Sequence, residues 1–371
     1  MSKHFFWKTL PPRVEASQVF GWTIPAIVRE RWGQEPENAV YAVPVDGGYR
    51  DVTWGEFGAA IAETAAGLAQ LGFSHGDRAA VMGDPTIDWV IADFGSLAAG
   101  GVCVGIYQTS SAPEVAHIFQ DATPKAFFGQ KMEHLNCAIE AAAAESSSSV
   151  SVFVLMEGDV GATGALPQNA RVVSLKELRR IGAEALAADA ALFDHLVDRS
   201  RSTDLARIIY TSGTTGRPKG VMYTHQAWLL VGEQWVLRFP PIRERRHVTV
   251  AFLSTAHVAS AMVSEIVPLV SKLQPHFAPP KAELVDVFRQ VRPEVQGMTP
   301  RFFQKIAVQL AVEQGSGSTL SRALNGLAMR AGRRIVHARW DGKPTSLVDR
   351  ALLKFLQRTI FRRLLATVGL D

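Results

Sequence analysis

At 371 residues, 47% of them hydrophobic, the chain can bury one large core or two ordinary ones. Charged residues make up 20% and the formal charge is +4, a basic excess too thin and too little interleaved with aromatics for a nucleic-acid surface. Cys103 and Cys137 have no histidine or cysteine at ligand spacing, which argues against a zinc site or disulfide framework and makes a reducing, cytoplasmic setting the expectation.

The opening run reaches Pro11-Pro12 before any apolar stretch forms, so no secretory leader is expected. Thr53-Trp54-Gly55-Glu56 is a capping-box pattern ahead of Phe57, Ile61, Ala65, Leu68 and Leu71, and predicts an amphipathic helix stopped by Gly72. A turn at Gly76-Asp77 then leads into a short strand, Arg78 to Met82. Asp84-Pro85 reads as N-cap and first residue of a second helix carrying Ile87, Trp89, Val90, Ile91 and Phe94, which Gly100-Gly101 ends. Val102 to Tyr107 is expected as strand, Pro113 to Phe119 as helix and Lys125 to Phe128 as strand; such alternation implies a parallel sheet with helical crossovers. The biased run from Ala138 to Ser151 reads as a surface excursion, and the strand pattern resumes at Val152 before a polar, Ala-rich region to Asp204.

A second α/β stretch follows: strand Val248 to Leu253, helix Ala282 to Val291, strand Glu294 to Met298 and helix Pro300 to Leu310. Val248 to Val270 is the most apolar window, but His257, Glu265 and several hydroxyl residues interrupt it, so any membrane contact is expected to be peripheral. From Ser321 to Leu370 the chain reads as helical and basic, with Arg330, Arg333, Arg334, Lys343, Arg350, Lys354, Arg358, Arg362 and Arg363. A solvated helix face is the plain reading of those charges; a weak site for anionic lipid or the phosphates of CoA is the other.

The chemistry concentrates after Ala206 to Tyr210, a strand by composition. It runs into Thr211-Ser212-Gly213-Thr214-Thr215-Gly216-Arg217-Pro218-Lys219-Gly220-Val221, and a helix is expected next. Glycines let backbone N–H groups turn inward as an anion-binding nest, the hydroxyls add donors, and Lys219 supplies a mobile cation. A flexible linker would not need Pro-Lys-Gly, and the spacing fails that of a Walker A loop. The loop therefore suits a polyphosphate.

Tyr210-Thr211-Ser212-Gly213-Thr214-Thr215-Gly216-Arg217-Pro218-Lys219-Gly220-Val221 resembles the phosphate-binding signature of the adenylate-forming superfamily, and Met222-Tyr223-Thr224-His225 matches its usual ending. Gly76-Asp77-Arg78, Asp88-Trp89, Gly105-Ile106-Tyr107-Gln108-Thr109-Ser110-Ser111, Val291-Arg292-Pro293 and Pro300-Arg301 are similar to long-chain fatty acyl-CoA synthetases, from about Pro25 to the last residue. The resemblance implies an α/β fold with two subdomains, largely parallel sheets flanked by helices, divided here as residues 1–204 and 205–371, with no C-terminal lid domain in the sequence. It further implies that Tyr210, Thr211, Ser212, Gly213, Thr214, Thr215, Gly216, Lys219 and Gly220 hold the ATP phosphates, that Thr211 is a weak candidate to touch Mg²⁺, and that segments between Val221 and Met298 line an acyl channel. Leu253-Ser254-Thr255-Ala256-His257 aligns with a family segment near the acyl carboxylate, which makes His257 the catalytic candidate; a histidine merely packed or hydrogen-bonded at a strand end is the alternative.

The implied reaction uses ATP, Mg²⁺, a fatty acid and CoA. The family's Gly-Ala-Ala-Pro-like adenine loop, its Tyr-Gly-x-Thr-Glu motif and its catalytic lysine are not found in the 371 residues, so the chain as written is expected to show little or no ligase activity. A protein that binds an acyl chain or nucleotide without catalysis, or one half of a split adenylating enzyme, are the alternatives.

Overall fold

The computed structural model describes residues 19–144, 148–211, 217–280, 282–315 and 318–370. These form two compact units, the larger comprising residues 19–246 and 251–278 and the smaller 247–250 and 279–370. The strands are β1 (Ala39–Val45), β2 (Gly48–Thr53), β3 (Arg78–Met82), β4 (Val102–Ile106), β5 (Ala126–Gly129), β6 (Val152–Leu155), β7 (Arg171–Ser174), β8 (Leu205–Thr211), β9 (Lys219–Thr224), β10 (His247–Ala251) and β11 (Leu273–Phe277).

In the larger unit the main sheet runs β7-β6-β5-β3-β4-β8-β9, parallel throughout except for β9, which returns antiparallel beside β8. Its central strands are apolar on both faces because helical crossovers cover both. One face packs Val104, Phe127, Phe153 and Ile208 under helices Ala112–Ala122 and Met132–Ala143. On the other lie helix Trp54–Gln70 and helix Ile87–Ala98, with helix Leu175–Ala188 packed on the former. β11, β1 and β2 make a smaller sheet, β1 parallel to β11 and antiparallel to β2.

The expected capping box is present: Thr53 Oγ1 accepts from Glu56 N–H and the Glu56 carboxylate accepts from Thr53 N–H. The second helix begins later than expected. Thr86, not Asp84, caps it, accepting from Trp89 N–H, while Asp84 N–H donates to Gln130 Oε1 at 2.7 Å and Pro85 precedes the cap. The region before Asp204 holds more order than its composition suggested: β7, helix Leu175–Ala188 capped by Ser174, and helix Leu192–Asp198. Of the expected surface excursion, Ala138, Ala141 and Ala142 are buried in a helix, and residues 145–147 lie outside the described ones. β8, expected to open a second subdomain at residue 205, pairs with β4 inside the main sheet.

In the smaller unit, Leu284–Val291, Pro300–Gly315, Thr319–Trp340 and Leu347–Leu356 are helical. Glu294 to Met298 is not a strand. The side chain of Gln296 takes the place of strand pairing: its Oε1 accepts from Val250 N–H at 2.9 Å and its Nε2 donates to Val250 C=O at 3.1 Å. All nine basic residues singled out between Arg330 and Arg363 are exposed, and no helix among the described residues is long and apolar enough to cross a membrane.

Helices Trp54–Gln70 and Leu175–Ala188 approach so closely that a Cβ on Gly182 would lie 1.7 Å from the Glu63 carbonyl oxygen. Alanine there raises helix propensity by up to about 1 kcal/mol, but the backbone it meets cannot yield. Gly182→Ala is expected to lower stability by about 1–3 kcal/mol in urea unfolding; an unchanged or raised midpoint would contradict this packing.

Candidate functional site

Side chains alternate along β8, so Ile208 and Tyr210 face one side of the sheet while Arg207 faces the other. On Arg207's side the guanidinium is fully buried. It pairs with Asp93 of helix Ile87–Ala98 and, at 2.6 Å from Nη1, with Glu265. Its ring neighbours are Trp89 and Trp228, whose centroids lie 5.4 and 5.7 Å from the guanidinium carbon. Glu265 sits in a π-helical turn, Met262–Ile266, which continues the helix that starts just after His257. One cation thus ties three segments together.

On the opposite face Tyr210 Oη donates to Asp121 Oδ2 at 2.6 Å, and burial, reinforced by that carboxylate, pushes the Tyr210 hydroxyl's pKa up. Thr211 ends β8 and is exposed, and Ser212, Gly213, Thr214, Thr215 and Gly216 lie outside the described residues. The chain returns at Arg217 and Pro218 into β9, where Lys219 stands opposite Thr211 and Gly220 opposite Tyr210. The segment after the loop is therefore a hairpin strand, and the expected helix begins only at His225, capped by Thr224. Lys219 is exposed, with no ion-pair partner among the described residues.

His257 follows a turn in which its N–H donates to Ser254 C=O at 3.1 Å. Its Nδ1 accepts from Ala259 N–H at 3.2 Å and caps the short helix Val258–Ala261. This hydrogen bond engages Nδ1, and the side chain is exposed. The turn lies against β4 because Gly105 lacks a side chain: a Cβ there would stand 2.9 Å from Ala256 Cα.

Both halves open on one cavity of about 810 Å³. Tyr210, Thr211, Arg217, Pro218, His257 and Val258 line it together with Gly105, Ile106 and Tyr107 of β4 and its following loop, and Glu114, His117 and Ile118 of helix Ala112–Ala122. Its walls are mainly apolar, with Arg217 and Glu114 as the charged residues of the lining. His117, Asp121 and Arg207 were not singled out from the sequence, and Glu265 was read only as an interruption of an apolar window. Arg207 carried a signal, since a charge inside the apolar run Ala206 to Tyr210 requires a buried partner.

The profile of the AMP-binding enzyme family matches residues 28–342. The long-chain-fatty-acid–CoA ligase FadD15 of Mycobacterium bovis is 31% identical over 351 residues, covering 93% of this chain and 54% of that protein. The long-chain-fatty-acid–CoA ligase ACSBG2 of Xenopus laevis is 24% identical, over 83% of this chain and 40% of its own. The chain thus spans about half the length of the curated relatives it matches. Among solved structures, the N-terminal domain of FACL13 from Mycobacterium tuberculosis superposes with a TM-score of 0.58 at 20% identity, covering 76% of this chain and 64% of that one. An anthranilate CoA ligase bound to anthranoyl-AMP gives 0.58 at 18%, covering 76% and 51%. These likenesses bear out the α/β fold.

Burial pushes the Glu265 carboxyl up to about 7, against the pull of Arg207. A carboxyl whose pKa is higher folded than unfolded stabilises the fold while protonated, so this contribution is full below its ordinary 4.5 and is lost as pH rises through about 7. Glu265→Gln should flatten the fall in unfolding free energy between about pH 5 and about pH 8; an unaltered slope would contradict the assignment.

Proposed function

The chain belongs to the AMP-binding enzyme family, and on that premise we propose that it binds ATP and a long-chain fatty acid as the adenylating part of an acyl-CoA ligase. The observation that supports this most is the sharing of one cavity by the hairpin carrying the phosphate loop and by His257. In the proposed reaction the fatty acid carboxylate attacks the α-phosphorus of ATP, a new O–P bond forms, and pyrophosphate leaves with the α–β bridging oxygen. The thiolate sulfur of CoA then attacks the acyl carbon, and AMP departs with the mixed-anhydride oxygen.

Such chemistry needs positioning and charge neutralisation more than covalent help. Lys219 and Arg217 supply the cations, and the backbone and hydroxyls from Thr211 to Gly220 supply donors to the β- and γ-phosphates. Tyr210 enters as a wall of the site, its hydroxyl being committed to Asp121. His257, held through Nδ1, would offer Nε2 toward the acyl carboxylate. Among the described residues no three of His, Cys, Asp and Glu are grouped to hold a metal ion. Mg²⁺ is taken as part of the MgATP substrate, carried on phosphate oxygens, with Thr211 as its candidate protein contact. The apolar wall of Ile106, Ile118 and Val258 would take the first carbons of the acyl chain.

No Tyr-Gly-x-Thr-Glu run occurs in the sequence. We assign phosphate and acyl binding to the residues named above. Titration calorimetry of the 371-residue chain with MgATP and pyrophosphate tests it. Binding is expected, weakened about tenfold by Lys219→Ala, the size of one charge-assisted hydrogen bond; absence of binding to the wild-type chain would overturn the reading. A non-hydrolysable acyl-adenylate analogue should lose about ten- to hundredfold in affinity on His257→Ala with little change in stability, whereas parallel loss of both would leave His257 a helix cap only.

A further inference from the structure

Both described stems of the β8–β9 hairpin rest on a helix nearly a hundred residues earlier. In helix Ala112–Ala122, His117 and Asp121 lie one turn apart and so share a face. Asp121 Oδ2 accepts from Tyr210 Oη at 2.6 Å, fixing the residue where the chain enters the loop. His117 Nε2 lies 3.0 Å from the Pro218 carbonyl oxygen, where the chain leaves it. A carbonyl only accepts, so Nε2 carries the proton. The imidazole also stands edge-on to the Tyr210 ring, centroids 6.4 Å apart at 77°, and therefore touches both stems.

The platform beneath these contacts is firm. Val115, Ile118 and Phe119 anchor the helix in the core of the main sheet. At its start Glu114 accepts from the backbone N–H and the hydroxyl of Ser111, at 2.8 and 3.0 Å. His117 and Asp121 themselves are at or near the surface, so neither is needed to fill the core.

Resting on the proposed phosphate-binding function, we infer that His117 and Asp121 are positioning residues, a clasp that sets the spacing and orientation of Tyr210 and Pro218, described residues on either side of Ser212 to Gly216. His117 borders the cavity, but its Nε2 is committed to the Pro218 carbonyl, and Asp121 Oδ2 is committed to Tyr210. The clasp predicts which atoms matter: a donor at the end of residue 117 and an acceptor at the end of residue 121. Charge at 121 is not required, and a carboxylate there would if anything oppose an incoming anion.

Two readouts on the full 371-residue chain test this. Affinity for pyrophosphate, by calorimetry, should fall about tenfold in His117→Ala, the size of one lost hydrogen bond with its preorganisation, and return to within about threefold in His117→Gln, whose amide can donate to Pro218. Asp121→Ala should weaken binding whereas Asp121→Asn, which keeps an acceptor without the charge, should not; thermal midpoints should stay together across the set. If Asp121→Ala and Asp121→Asn both tighten binding, Asp121 acts through charge alone and the clasp is wrong. The second readout needs no ligand: trypsin should cut after Lys219 faster in His117→Ala than in wild type, with His117→Gln restoring protection. Failure of the wild-type chain to bind pyrophosphate, with the cleavage pattern as expected, would overturn the phosphate function and leave the clasp standing. Normal pyrophosphate binding with equal cleavage in all variants would overturn the clasp and leave the function.

Discussion

The buried cation at Arg207 is the constraint on which the site's geometry depends. Removing a guanidinium from water is expensive, and the cost is offset only where carboxylates and aromatic faces surround it closely. Asp93, Glu265, Trp89 and Trp228 meet that need from three segments of chain distant in sequence. β8 can therefore occupy only one register against helix Ile87–Ala98 and the π-helical turn at Met262–Ile266. Because side chains alternate, fixing Arg207 on one face fixes Tyr210 on the other, three residues on, at the mouth of the loop. The same cation holds the turn that follows His257. The β8–β9 hairpin and His257 are thus referred to a common anchor.

Charge is distributed accordingly. The anchoring charges are sealed from water, whereas Arg217 and Lys219 stand exposed, where an anionic ligand can reach them. Burial follows the same division: β8 is an apolar strand, and β9 is an edge strand with a mixed face. Gly105 completes the arrangement by letting the Ser254 to His257 turn lie directly against β4. What remains is a cavity walled by a strand, a hairpin stem, a helix and the turn at His257.

Much of this was legible in the sequence, and the failures have local causes. Strands buried on both faces announce themselves as continuous apolar runs, which is why β3, β4, β6 and β8 fell close to their expected places. β9 did not, because an edge strand in which Lys219, Val221 and Met222 all face solvent has no clean alternation to read. Glu294 to Met298 looked like a strand by composition, and Gln296 shows why the pattern misleads: a side-chain amide can supply the donor and acceptor that a strand neighbour would. At Asp84-Pro85 two capping candidates competed. Thr86 Oγ1 takes the cap by accepting from Trp89 N–H, while Asp84 is held two residues earlier through its N–H to Gln130, a tertiary contact invisible locally. The motif gave the loop and His257 by resemblance, while the residues that orient them lie on other elements, where only the folded chain brings them near.

The central claim is that the β8–β9 hairpin and the His257 segment form one ligand site. Hydrogen–deuterium exchange with and without a non-hydrolysable acyl-adenylate analogue tests it most directly. Simultaneous protection of peptides spanning 205–224 and 254–266 is predicted, with the helices from 319 to 366 unchanged. Protection of only one of the two segments, or of the C-terminal helices in their place, would contradict the claim.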